Sequence, residues 1–132
     1  MIISFFGSHR FLSNFWIESD GSSIEVKYQQ AKCANEEDKL KFKGLLPREA
    51  KKLGRKIKLR SDWDHIKVSI MESLVRDKFN NSSTLRIKLL ETGDNELVEL
   101  NSWGDTFWGV CNGKGENNLG KILMKIRAEI KQ

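Results

Sequence analysis

Glu25, Gln29 and Lys32 stand at i, i+4 and i+7 in EVKYQQAK, so a helix of 3.6 residues per turn puts the three on one face. An acid, an amide and an amine on one face have two readings. The plainer is a solvated face held together by side-chain pairs. The chemical one is a face turned into a cleft. There a glutamate among apolar groups has its pKa raised and can protonate a leaving nitrogen. A lysine in a desolvated pocket can attack a carbonyl carbon, whereas an exposed one would pair with phosphate. Arg55, Asp62, Trp63 and Asp105 complete the residues whose types suit chemistry or ligand contact.

Several familiar constellations are excluded. GVCNGKG is one residue short of a P-loop, and Gly115 stands where a Mg²⁺-binding Ser or Thr is required. GKGENN lacks the third glycine of a dinucleotide fingerprint. His9 and His65 are far apart and have no carboxylate or cysteine at metal-ligand spacing, so no metal and no cofactor is expected. His65, beside Trp63, reads as structural. There is no G-x-S-x-G elbow for a serine hydrolase. The segment 102–117 is the most unusual. Its glycines would let backbone amides approach a ligand, its tryptophans offer flat surfaces, and Asp105 suits sugar hydroxyls. The alternative is a glycine-rich connection pinned to the core by Trp103 and Trp108.

The elements that must position these residues follow from pattern. With 132 residues, 39% hydrophobic and 31% charged, the chain suits one globular domain, 1–132. IISFF and FWIE read as strands, followed by the turn SDGSS and a helix over 25–37. LLPREAKKLGR suits a short helix with Pro47 first and Gly54 at its C-cap. SDWDHIKVSIMESLVRDKFNN is the clearest helix, with Trp63, Ile66, Ile70, Met71 and Leu74 at helical spacing and Ser61 or Asp62 as cap. A capped helix to Gly93, a five-residue strand ELVEL and the closing helix LGKILMKIRAEI complete a mostly helical α+β domain with a small sheet.

Composition also bounds partners and setting. A net charge of +5 is a mild bias toward phosphate-bearing ligands; with acids nearly as numerous as cations, general nucleic-acid binding is not indicated. Cys33 and Cys111 read as free thiols of a reducing compartment. No apolar run has membrane length, and MIISFFGSHRF reads as a strand rather than a secretion signal, so the expectation is a cytoplasmic protein.

Taken in order, FLSNFW (11–16), EVKYQQAK (25–32), PREAKKLGR (47–55), SDWDHIKVSIM (61–71), KF (78–79), LLETGDNELVE (89–99) and DTFWGVCNGKGENNLGKILMKIR (105–127) resemble the NADAR, or YbiA-like, family along nearly the whole chain. The resemblance implies a YbiA-like α+β fold and cleavage of N-glycosidic bonds between ribose and a base or amine. Implied substrates are ribosylamino-pyrimidine phosphates of riboflavin synthesis, or ADP-ribose on guanine in nucleic acid. It implies Glu25 as the functional glutamate and places Lys32 among the pocket positions; amine chemistry makes Lys32 a second catalytic candidate, an imine-forming nucleophile or a phosphate contact. Asn14, Phe15, Gln29, Gly54, Arg55, Trp63, Asp105, Trp108, Gly109, Asn118 and Gly120 match pocket positions. Val26, where the family often has histidine, and Gln30, where a small residue is usual, depart from the pattern and bear on the substrate. A non-catalytic module binding ADP-ribose or a nucleotide would keep the stacking and phosphate groups without needing Glu25.

Overall fold

The structure, a computed structural model, describes residues 1–132. It has the expected α+β composition, with six α-helices and short paired strands. The chain divides into two compact units, one built from Met1–Ser13 with Val75–Gln132, the other from Asn14–Leu74.

In the Asn14–Leu74 unit, α1 (Ile24–Lys32) starts at Ser23, whose hydroxyl accepts from the Val26 amide at 3.3 Å. The helix expected to reach residue 37 stops earlier. Cys33 turns extended (φ −66°, ψ 137°) to bridge Leu59, and the Ala34 amide donates to the Lys58 carbonyl. A tertiary pairing thus overrides helix propensity, and α2 (Glu36–Leu40) begins afresh with Asn35 capping the Asp38 amide at 2.9 Å. Helix α3 (Pro47–Gly54) has proline at its first position, and the Glu49 carboxylate accepts from the Leu46 amide at 2.8 Å. Its buried residues, Pro47, Ala50 and Gly54, lie on one face, and α3 makes its most extensive helix contact with α1. Cys33, Phe42 and Ala50 form the core here, with Val26, Leu45, Leu53 and Ile57 around them. Burying a side chain such as Phe42 contributes about 1.5–3 kcal/mol. The FWIE segment, expected as a strand, supplies only the Ile17–Ser23 bridge.

In the other unit, β1 (Ile2–Ile3) pairs in parallel with β2 (Glu96–Leu97), and β3 (Leu100–Asn101) with β4 (Val110–Cys111). IISFF thus yields two strand residues before a 3-10 helix over Gly7–Leu12. ELVEL is split between β2 and β3 because the Glu99 amide donates to the Asn117 side chain at 3.0 Å instead of extending a ladder. Helix α4 (Trp63–Asn80) passes from one unit into the other. Ser82 caps α5 (Ser83–Glu91), and Gly93 follows it at φ 64°. Helix α6 (Asn118–Lys131) buries Leu119, Ile122, Leu123 and Ile126, one apolar stripe. Both cysteines are buried free thiols. No helix is long and apolar enough to cross a membrane.

One buried cationic side chain organises this unit. Lys78 is 1% exposed, and its Nζ donates to the carbonyls of Phe11 at 2.6 Å and Ser13 at 3.0 Å. Lys78→Met would retain the aliphatic stem but strand two carbonyls without their donor. We expect a loss of about 2–4 kcal/mol, seen in urea unfolding as a lower midpoint at unchanged slope.

Candidate functional site

Glu25 and Gln29 are 8% and 3% exposed, so their face of α1 is not a solvated one. The Gln29 amide donates to Glu25 Oε1 at 2.9 Å, one helical turn along, and fixes that carboxylate. The Glu25 amide donates to the Asn14 carbonyl at 3.1 Å, which ties the SNF segment to the start of α1. Two buried acceptors here have no donor: Gln29 Oε1 and Asn14 Oδ1. An orphaned buried acceptor is costly unless a ligand group or water meets it. Both suit a hydroxyl or N–H donor.

Gly54 explains how the amide fits. It is the last residue of α3 rather than a cap beyond it, and it has no left-handed φ. Its role is space: a Cβ at 54 would land on Gln29 Oε1. Arg55 follows as the actual C-cap, exposed and with no ion-pair partner.

Lys32 completes the face. Its Nζ lies 5.1 Å from the centre of the Tyr28 ring, and Tyr28 meets Trp63 at 5.1 Å between centroids, tilted by 60°. Burial holds the Lys32 pKa below the ordinary lysine value. Glu25 opposes that shift, while Lys51, Lys67 and Arg55 add to it. Trp63 is only 5% exposed, so most of it serves the packing behind Tyr28 and Lys32. Phe15 is exposed, with Lys51 Nζ 5.8 Å from its ring centre. The structure therefore gathers Asn14, Phe15, Glu25, Gln29, Lys32, Gly54, Arg55 and Trp63 into the Asn14–Leu74 unit. His65, expected to be structural, is exposed, and Asp62 is paired with Arg60 at 2.7 Å.

The remaining candidates belong to the other unit, where they shape the 102–117 segment. Asp105 Oδ1 accepts from the Phe107 and Trp108 amides at 3.1 and 2.9 Å, so this oxygen holds a turn. Asn118 donates to the Phe107 carbonyl at 3.0 Å, and Trp108 meets Phe107 edge to face. A Cβ at Gly109 would strike the Glu99 carbonyl, and one at Gly120 the Leu97 carbonyl. These glycines permit close backbone packing. Trp103 is 55% exposed, so it does not pin the segment to the core as the alternative reading had it.

Comparison with known proteins agrees with this architecture. Residues 5–131 match the NADAR domain. The chain belongs to the NADAR domain family. An N-glycosidase of Nostoc punctiforme is 42% identical over 117 residues, covering 83% of this chain and 74% of that protein. A riboflavin biosynthesis protein of Vibrio vulnificus is 38% identical over 95% of this chain, which spans only 36% of that protein's length. The NMR structure of the Escherichia coli protein YbiA superposes with a TM-score of 0.85 at 32% identity, covering 98% of this chain and 84% of that one.

Two residues of this NADAR chain escaped the motif reading. Asn117, at φ 55°, donates to the Leu97 carbonyl at 2.9 Å and accepts from the Glu99 amide. Asn101 holds Asp105 from both sides, donating to its carbonyl at 2.8 Å and accepting from its amide at 3.0 Å. An asparagine pair within the glycine-containing stretch GKGENNLG was the available signal for the first, since asparagine tolerates the left-handed region; the second carries none.

Two outcomes test this geometry. Gly54→Ala gains helix propensity of about 1 kcal/mol but displaces the Gln29 amide. It should therefore lower the melting temperature when Gln29 is present and raise it in a Gln29→Ala background, a coupling of at least about 1 kcal/mol. The Lys32 pKa is set against Glu25, so Glu25→Gln should lower it further and Lys51→Gln should raise it. The pH midpoint of Lys32 acetylation, followed by mass spectrometry, should move down in the first variant and up in the second.

Proposed function

We propose that this protein is an N-glycosidase that cleaves the bond between ribose C1 and a base or amine nitrogen. The observation that carries the reading is the α1 face. It has a buried carboxylate fixed by Gln29, beside an amine whose pKa burial has lowered. The Nostoc relative's name, N-glycosidase, supports it, as does that of N-glycosidase YbiA of Escherichia coli. The substrate is a ribosylamino-pyrimidine phosphate or an ADP-ribosyl group on guanine in nucleic acid.

Glu25 acts as acid and then base. It gives its proton to the departing nitrogen as the C1–N bond breaks, and C1 becomes oxocarbenium-like. Water then adds to C1 and returns a proton to Glu25. In the covalent variant, the neutral Lys32 amine adds to C1 of the ring-opened riboside. The leaving amine takes a proton from Glu25, and water hydrolyses the resulting iminium, freeing both Lys32 and the ribose aldehyde. The lowered Lys32 pKa favours the neutral amine this path needs. The unmet acceptors Gln29 Oε1 and Asn14 Oδ1 suit ribose hydroxyls. Arg55 suits a phosphate, which guanidinium grips bidentately.

Incubation with each substrate class, followed by mass spectrometry of the products, tests the reading. A free base or amine with a ribosyl product is expected. Binding without product from either class would make the chain a nucleotide-binding module. Glu25→Gln should fold, bind and turn over at least about a hundredfold more slowly. Borohydride added during turnover should leave ribose-derived mass on the Lys32 peptide, and Lys32→Arg should lose both adduct and turnover. Retained activity in Lys32→Arg without any adduct would reduce Lys32 to an electrostatic contact.

A further inference from the structure

The cations of this chain are not evenly spread. Residues 39–60 hold ten lysines and arginines against one carboxylate, Glu49, a net of +9. The whole chain is only +5, so everything outside that segment sums to −4. The even mixture that argued against a polyanion partner is an average over two opposite regions.

The segment's cations are also placed for use. Lys43, Arg48, Lys52, Arg55, Lys56 and Lys58 are exposed, and none has an ion-pair partner. Glu49, the one acid within the segment, is engaged with the Leu46 amide. Arg48, Lys52 and Arg55 recur at i, i+4 and i+7, one stripe along α3 and its C-cap. At 3.6 residues per turn the buried residues Pro47, Ala50 and Gly54 fall on the opposite side. The stripe is roughly 10 Å long at 1.5 Å per residue, too extended to converge on one phosphate. Its lower end reaches Gly54, whose close approach to Gln29 brings it to the α1 face.

We propose that the exposed face of α3, with the turn through Lys58, is a docking surface for the sugar–phosphate backbone of a nucleic acid. A line of unpaired cations of one sign is the electrostatic footprint of such a surface. An interfacial membrane helix would need an apolar face to insert, and that of α3 is already buried within the fold. A protein interface centres on apolar or aromatic anchors, which this stripe lacks. If the α1 face is an N-glycosidase site, the surface presents to it a ribosyl group carried on a polymer. That use rests on the function proposed above, whereas backbone binding does not.

The test separates the two. Fluorescence anisotropy would measure binding of labelled, unmodified 20-nucleotide single-stranded DNA, single-stranded RNA and duplex DNA across a salt series. The variant is Arg48→Gln/Lys52→Gln/Lys56→Gln, whose exposed positions leave the buried face of α3 intact; its thermal melt checks folding. The wild type should bind at 50 mM salt, weakening steeply as salt rises. The triple variant should bind at least about thirtyfold more weakly, with a salt slope for duplex smaller by about 2–3. Its turnover of a small riboside should be unchanged. No binding by the wild type at 50 mM salt, or equal binding by the variant, overturns the proposal. So does tighter retention on phosphatidylserine vesicles than on any oligonucleotide. Product release from small ribosides reads the catalytic proposal alone.

Discussion

The approach of α3 to α1 at Gly54 is the contact on which the candidate site depends. A residue without Cβ leaves room for the Gln29 amide, and that amide, one turn from Glu25, donates to the carboxylate. Burial at the far end of the same face lowers the Lys32 pKa. Packing and hydrogen bonding are thus two results of one close approach. A larger residue at 54 would disturb both while leaving the helices themselves intact.

The site is also marked by two acceptors that it leaves unmet. Folded proteins pair nearly all buried polar atoms, so acceptors without donors mark places where the fold has accepted a penalty. Gln29 Oε1 and Asn14 Oδ1 are such places, and both belong to segments joined through the Glu25 amide. In the 102–117 segment the polar side chains are largely committed inward. Asp105, Asn101, Asn117 and Asn118 hold backbone groups of the segment and its flanks. There the same residue types serve structure rather than an open demand for ligand.

How much of this was legible in the sequence depended on the range of the interaction responsible. Helices α3 and α6 could be read from local signals, the proline at 47 and the apolar stripe from Leu119 to Ile126. The helix over 25–37 failed at Cys33, because a bridge to Leu59 lies far outside any helical window. ELVEL failed in the same way at Glu99, claimed by Asn117. The face of Glu25, Gln29 and Lys32 was legible from spacing, but its burial was not, since charged faces are usually solvated. Lys78 stood in the matching KF block, but its burial was hidden. A buried amine carries the same letter as a surface one, and only the distant carbonyls of Phe11 and Ser13 distinguish it.

The two strand ladders carry a consequence for the order in which the molecule assembles. β3 and β4 are separated only by the 102–109 turn, so their pairing closes a short loop. Ile2, in contrast, pairs with Glu96, and the entropy of closing a loop grows with its length. The Asn14–Leu74 unit is continuous and lies wholly within that long loop. On a growing chain it can reach its native contacts before β2 has been synthesised, leaving β1 as an unpaired edge until then. Synthesis through Leu97 therefore sets the earliest moment at which the first strand can be sheltered.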